Sequence, residues 1–285
     1  MTSVLHLSDP HFGTEQPAVV DALVGLVRAC QPELVLLGGD ITQRARSAQF
    51  AAARRFVDRL AVPTLVVPGN HDIPLFNIVA RLLDPYGNYR RAFGPDREPV
   101  YSSDTLLAIG VDSTRPQRHK NGYVSSRQIE RVARLLDGAR PGQLRIVLMH
   151  HPLVAAVESD QVNLAGGREN AMRVWSQAGA DLLLGGHIHL PYVAPLPARI
   201  NQQGTWAVQA GTAVSQRIRG GVPNSVNIID WAPERTRASV CRVQRWDYLV
   251  SANSFVPAAE HELALSRQAW RVAEPDPLGV ALGYR

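Results

Sequence analysis

Leu34-Val35-Leu36-Leu37-Gly38-Gly39-Asp40 decides how this chain folds. Its first four residues are wholly apolar, too short for a helix and without a polar face, as expected of a central strand in a parallel sheet. Two glycines and a carboxylate then end the run. Upstream, Val4–Ser8 reads as a first buried strand, and Ala18–Ala29 carries the apolar spacing of a helix. Downstream, Ser47–Leu60 returns to helical periodicity with Arg54, Arg55, Asp58 and Arg59 on its wet face. Thr64–Val67 is a further buried strand, stopped by Pro68-Gly69. Strand, helix and strand in alternation predict βαβ units.

The same reading continues along the chain. Pro74–Phe93 is helical but interrupted by Pro85 and Gly87. Val100–Ser103 and Leu106–Val111 form a hairpin, with Asp104 and Thr105 at its turn. Ser125–Leu136 and Arg168–Gln177 are helices, and Arg145–Met149 and Asp181–Leu184 are strands. After His189 the texture changes to short strands separated by turns: Tyr192–Leu196, Thr205–Gln209, Ser225–Trp231 and Ala238–Arg245. These predict a second, largely antiparallel sheet packed on the first. Residues beyond Phe255 are expected to form a terminal helix or a wrapping tail. With no repeat or linker in view, the expected organisation is one domain, 1–285: a motif-bearing α/β core over 1–190, second-sheet strands over 191–250 and a tail over 251–285.

The chain has 285 residues, 45% hydrophobic and 19% charged, enough to bury a large core and too apolar for disorder. Its net charge of +5 is carried by arginine, since Lys120 is the only lysine. That charge reads either as attraction for phosphate, nucleic acid or anionic lipid head groups or as arginine bias in a GC-rich genome. No run of like charges marks a nucleic-acid arm. Cys30 and Cys241 are too few for a disulfide framework. The N-terminus has no signal-peptide pattern, and no stretch is long and apolar enough to span a bilayer. The expectation is a soluble, cytoplasmic protein.

Five islands carry the chemistry: Asp9-Pro10-His11, Gly38-Gly39-Asp40, Gly69-Asn70-His71-Asp72, His150-His151-Pro152 and Gly186-His187-Ile188-His189. They hold six of the nine histidines, and four of them follow directly on an apolar strand. Carboxylate, amide oxygen and imidazole are the donors that hard and borderline divalent cations take. Asp9 and His11 stand two apart, so on an extended segment both would face one ion, and His187 and His189 share that spacing. Asp40, the acid of the central island, is the natural bridge between two cations. Asn70 adds a neutral oxygen. No thiolate lies near, which argues against a structural zinc–thiolate site. Any one island alone reads as a turn or a core histidine; all five together predict a dimetal site.

The set D-x-H, GD, GNHD, H and GHxH resembles the calcineurin-like metallophosphoesterase superfamily, over Asp9 to His189. Leu7-Ser8-Asp9-Pro10-His11-Phe12-Gly13 and Gly39-Asp40-Ile41-Thr42 are similar to its bacterial branch containing cyclic-nucleotide phosphodiesterases. The resemblance implies an α/β fold, a four-layer αββα sandwich of two mixed β-sheets flanked by helices, with the metal site at the strand C-terminal ends. It implies one cation held by Asp9, His11, Asp40 and His189 and a second by Asp40, Asn70, His150 and His187, the metals being Mn, Fe, Zn or Co. His71 matches the catalytic histidine, which Asp72 would orient. His150 and His151 cannot both be assumed ligands; the resemblance favours His150 and gives His151 a supporting or substrate-facing role. The implied reaction is attack of a metal-bridged hydroxide on phosphorus.

The expected substrate is a small phosphodiester, cyclic nucleotides first among them. Arg115, Arg118, His119 and Lys120 are candidate substrate contacts, as are the aromatics and arginines of 84–97. A UDP-diacylglucosamine-type pyrophosphatase is the rival if 84–97 makes an apolar, basic cap; a phosphomonoesterase is a further alternative. A non-catalytic scaffold on the same fold would erode ligand positions, and here every ligand type is present. No dedicated nucleic-acid module is seen. The oligomeric state stays open, with a homodimer among the expectations.

Overall fold

The computed structural model describes residues 1–118, 120–200, 204–232 and 240–265. Strands β1 (Thr2–Leu7), β2 (Leu34–Leu37) and β3 (Thr64–Val66) alternate with helices α1 (Pro17–Cys30) and α2 (Ser47–Leu60). Helices α3 (Ile78–Leu83) and α4 (Gly87–Phe93) follow, then the hairpin β4 (Val100–Ser102) and β5 (Leu106–Val111). Next come α5 (Ser126–Asp137), β6 (Leu144–Met149), α6 (Arg168–Gln177) and β7 (Leu182–Gly185). The chain continues through β8 (Tyr192–Pro195), β9 (Trp206–Gln209), β10 (Ser225–Trp231), β11 (Val240–Leu249) and β12 (Ser254–Ala264).

Two mixed six-stranded sheets result, ordered β12-β11-β10-β1-β2-β3 and β4-β5-β6-β7-β9-β8. Val4, Leu36 and Val67 of the first meet Leu106, Ile146, Leu148 and Leu184 of the second in a dry layer between them. Alternate residues of β1 and β2 (Leu5, Leu7, Val35, Leu37) turn outward onto Val20, Leu23 and Val27 of α1 and Phe50 and Phe56 of α2. Val147, Met149 and Leu183 turn onto Ile129, Val132 and Leu136 of α5 and Trp175 of α6. The four layers are therefore αββα. Helix α5 starts at a reciprocal cap: Ser125 Oγ accepts from the Gln128 amide, and Gln128 Oε1 accepts from the Ser125 amide at 3.0 Å.

The expected partition of strands needs correction. Residues 191–250 do not form a second sheet against a first one made by 1–190. Strand β9 pairs parallel with β7, whereas β10 pairs antiparallel with β1, Leu5 opposite Ile228. Each sheet thus combines parallel strands of the motif-bearing region with antiparallel strands from after His189. Nor are residues from 254 to 264 a tail or helix: they are the edge strand β12, paired with β11 from Leu249–Ser254 to Val240–Ala264.

Parallel register aligns the strand ends that matter. Leu7 stands beside Leu37, and Leu37 beside Val66. Contact continues past the strands, because the Asp9 amide donates to Gly39 O and the His11 amide to Asp40 O, both at 3.0 Å. In the second sheet Leu148 stands beside Leu184, and the Gly186 amide donates to His150 O at 2.9 Å. All five islands arrive at the same end of the sandwich.

Candidate metal centre

Asp9, His11, Asp40 and His189 each present a donor atom, and the four atoms lie within 4.8 Å of one another. His150, His151 and His187 form a second such group. Asp40 joins them. Its Oδ2 is 3.7 Å from His11 Nε2, while its Oδ1 is 3.3 Å from His150 Nε2. Asn70 Oδ1 lies 3.2 Å from the same His150 nitrogen, so Asn70 belongs with the second group.

The route to this convergence differs from the extended one expected. Asp9, His11, Asp40, His187 and His189 all have φ between 42° and 72°, in the left-handed region. Each such residue costs on the order of 1 kcal/mol or more, a strain that clusters at functional sites. Sharp turns directly after the strands, not alternation along an extended segment, aim the side chains. Gly39, with φ of 87°, permits a close approach: a Cβ there would stand 2.7 Å from His150 Nδ1 and 2.8 Å from the Gly69 amide nitrogen.

Hydrogen bonds at the far side of several rings fix which nitrogen faces inward. His150 Nδ1 is 2.8 Å from Gly38 O and His189 Nδ1 is 2.5 Å from Arg217 O. Donation from Nδ1 to these carbonyls leaves each Nε2 lone pair directed into the centre, the arrangement metal-ligating imidazoles use. His151 differs. Its Nδ1 is 2.8 Å from Ser113 Oγ and its Nε2 2.9 Å from Lys120 O, and the ring is fully buried. Both nitrogens are engaged and the ring is shut away from the opening, so a substrate-facing His151 is not what the structure shows; the residue supports the wall behind His187.

Electrostatics matches a cation site. Burial opposes ionisation of Asp40, but the imidazoles of His150 and His71 hold its carboxyl well below the usual range. Asp9 is likewise depressed against burial, chiefly by His189. The partners move the other way: despite burial, Asp40 raises His150 to about 9, and Asp9 raises His189. Burial dominates at His11 and His187, lowering them to about 3 and about 4. The two carboxylates thus favour protonation of His150 and His189, and a metal would compete with protons for the same imidazole nitrogens. Asp9 Oδ1 is buried with the His189 ring 3.1 Å away as its counterpart, a place a cation would take. The donor set fits two divalent ions.

His71 sits at the rim. Its Nδ1 is 3.0 Å from Gln43 O, its Nε2 accepts from Arg217 NH1 at 3.3 Å, and its ring edge meets His11 at 4.9 Å between centroids. The expected role of Asp72 needs correction. Asp72 closes the 3₁₀ turn Asn70–Asp72, and its carboxylate is spent on the backbone around it. It accepts instead from the amides of Gly69, Ile41 and Thr42 and from Thr42 Oγ1, at 2.8–3.1 Å. Asp72 ties the second and third islands together; Gln43 O orients His71. Burial, with Asp40 nearby, pushes the Asp72 carboxyl up to about 6.

Of the other candidates, Arg115 is held by Asp112 O, Thr114 O and Gln128 Oε1. It lines a polar cleft with Arg97, Arg127 and Arg131, separate from the cavity at His71, and is not a contact of that cavity. His119 lies outside the described residues. Tyr86 and Tyr89 are buried, bonded to Thr114 Oγ1 and Val66 O, so 84–97 is packing rather than a lid or cap. Two residues were missed, Arg217 and Gln43. Neither stands in a motif; the chain returning over the strand ends between β9 and β10 delivers Arg217.

The sequence profile of the calcineurin-like phosphoesterases matches residues 2–191. The chain belongs to that family. This calcineurin-like phosphoesterase is 28% identical over 203 residues to a probable cyclic nucleotide phosphodiesterase of Synechococcus sp., covering 67% of this chain and 74% of the relative. It is 32% identical over 166 residues to a glycerophosphodiester phosphodiesterase of Enterobacter lignolyticus, covering 52% of this chain and 55% of the relative. Among solved structures it resembles a purple acid phosphatase from yellow lupin (TM-score 0.68, 13% identity, 92% of this chain and 53% of that one). A dimetal phosphatase from Danio rerio is also similar (TM-score 0.63, 14% identity, 93% and 99%). These structures share the fold. The protein is a metal-dependent phosphoesterase, and none of its described helices is long and apolar enough to cross a membrane.

Proposed function

We propose that the protein is a binuclear-metal phosphodiesterase acting on a small diester, with cyclic nucleotides as the first candidate substrates. The observation that carries this reading is Asp40, whose two oxygens address two separate donor groups. Asp9, His11, Asp40 and His189 would hold one cation, and Asp40, Asn70, His150 and His187 the other. When bound, such ions supply Lewis acidity to the phosphoryl group and lower the pKa of water at the site. Mixed oxygen and nitrogen donors suit Mn²⁺, Fe²⁺, Zn²⁺ or Co²⁺.

The chain's own groups do the rest. A cavity of about 220 Å³ opens beside Asn70 and His71 and is lined by Gln43, Arg44, Ile73, Leu75, Arg81 and Lys120. Its three cations attract a phosphate, and Ile73 and Leu75 give an apolar wall for the organic part of the substrate. Arg217, which donates to His71 Nε2, is placed to turn to a phosphate oxygen. His71 Nε2 then carries the proton for the leaving oxygen, its ring held by Gln43 O. Two cysteines in 285 residues are too few for a disulfide framework, which supports a reducing, cytoplasmic setting.

Cyclic nucleotides are favoured by the named activity of the Synechococcus relative, and glycerophosphodiesters, the second reading, by that of the Enterobacter one. The test is a Mn²⁺-supplemented panel of aryl diester, aryl monoester, cyclic nucleotides and glycerophosphodiesters, with Asp40→Ala as the metal-blind control. Diester turnover that Asp40→Ala abolishes is expected, greatest for cyclic nucleotides. Faster hydrolysis of the monoester than of every diester would overturn the substrate class.

A further inference from the structure

The segment following the Asn70–Asp72 turn exposes apolar side chains in a block. Phe76, Ile78, Val79, Leu82 and Leu83 are 77%, 66%, 67%, 77% and 82% exposed, and α3 buries none of its residues. Every other helix described buries a face. Scattered exposed aliphatics are ordinary on a soluble protein; a contiguous patch of this kind marks a surface made to meet something.

Cations rim the patch. The Arg44 guanidinium lies 5.2 Å over the Phe76 ring, and Arg44, Arg81 and Lys120 all line the cavity that opens at His71. Among the described residues no carboxylate pairs with any of the three. Asp84, the acid at the end of α3, is taken by Arg90 at 2.5 Å. A second copy of the chain is a poor occupant, because a two-fold contact centred here would bring these cations against their own symmetry mates without acids to offset them. Apolar side chains inside a cationic rim match acyl chains beneath anionic head groups.

We propose that Phe76 and α3 form an interfacial segment that seats on an anionic lipid surface, with Arg44, Arg81 and Lys120 against the lipid phosphates. Seated in this way, the protein presents the mouth of the His71 cavity at head-group level, so diesters held in or released from a membrane have the shortest path to it. Only this last consequence rests on the proposed activity. The docking itself is read without turnover.

The test uses the full chain, flotation with phosphatidylcholine vesicles with and without phosphatidylglycerol, and the exposed-residue variant Val79→Ser/Leu82→Ser/Leu83→Ser. Wild type should float with the anionic vesicles and much less with the neutral ones, and the variant should bind at least about tenfold more weakly. The melting curve and aryl-diester rate of the variant should match wild type, because none of its changes touches the core or the cavity wall. In a separate arm, Leu82→Trp should show a blue-shifted emission, relative to wild type, on adding anionic vesicles. Failure of wild type to float, equal flotation of the triple variant, or an unshifted Leu82→Trp spectrum would overturn the proposal. So would a wild-type dimer in sedimentation velocity that the triple variant loses, since the patch would then be an interface between copies.

Discussion

His71 is held from two sides, by Gln43 O at Nδ1 and by Arg217 at Nε2, and this defines what each group should do when removed. The His71→Ala variant should keep its metals and lose about 10²–10⁴-fold in kcat, most for diesters with poor leaving groups, because only the proton transfer is lost. Metal analysis beside a leaving-group series checks this; an unchanged rate on alkyl-leaving-group diesters would rule out His71 as the acid. Arg217→Ala should lower kcat/KM by about 10–100-fold, the range for a hydrogen bond to a charged group, again with metal content intact. The clustering of the candidate donors was legible because each island is a local pattern of rare residue types. Asp72 was misread because the resemblance implied contact with His71, whereas its carboxylate accepts from the amides of Gly69, Ile41 and Thr42. Arg217 was illegible for a different reason: its place depends on a loop 146 residues away from His71.

Strand β1 shows how much one element can say about itself and how little about its partners. Its burial was readable, and so was its end at the first island. That its other neighbour would be β10, more than 200 residues later, was not, since antiparallel pairing across such a distance leaves no local mark. The same strand carries a buried histidine outside the islands. His6 is fully buried between the sheets, and burial lowers it to about 3. Its ordinary value is 6.5, so below that pH the unfolded chain takes up a proton that the folded chain refuses. The neutral imidazole's contribution is therefore complete above pH 6.5 and drains away as pH falls toward 3. The variant His6→Gln should flatten the slope of unfolding free energy against pH between 6 and 4 by about 1.4 kcal/mol per unit, one proton's worth. Denaturant titrations at several pH values measure it; an unchanged slope would show that His6 is not the group refusing the proton.

At the scale of the whole molecule, the site is also a clasp. Asp9, Asp40 and Asn70 follow strands of one sheet, and His150, His187 and His189 follow strands of the other. Cations shared between them would join the open end of a sandwich that is otherwise held by its dry middle layer. Ions present at about 100 times their dissociation constant stabilise by about 2.7 kcal/mol each. At about 2–4 °C per kcal/mol for a domain near this size, chelation of both ions should lower Tm by roughly 10–20 °C, and Mn²⁺ should restore it. A Tm indifferent to chelator in a protein shown to have lost its metal would mean that the site does not brace the two sheets. Layering was legible through the strand–helix alternation and the family resemblance. The split of the later strands between sheets was not, nor was the exposed helix α3, whose sequence reads as an ordinary interrupted helix.

The central claim is that Asp40 stands between two cations. Anomalous diffraction from crystals grown with Mn²⁺ measures this directly. Two peaks roughly 3.5–4 Å apart are predicted, the first among Asp9, His11, Asp40 and His189 and the second among Asp40, Asn70, His150 and His187. A single peak, or a second one held without Asp40, would contradict the account.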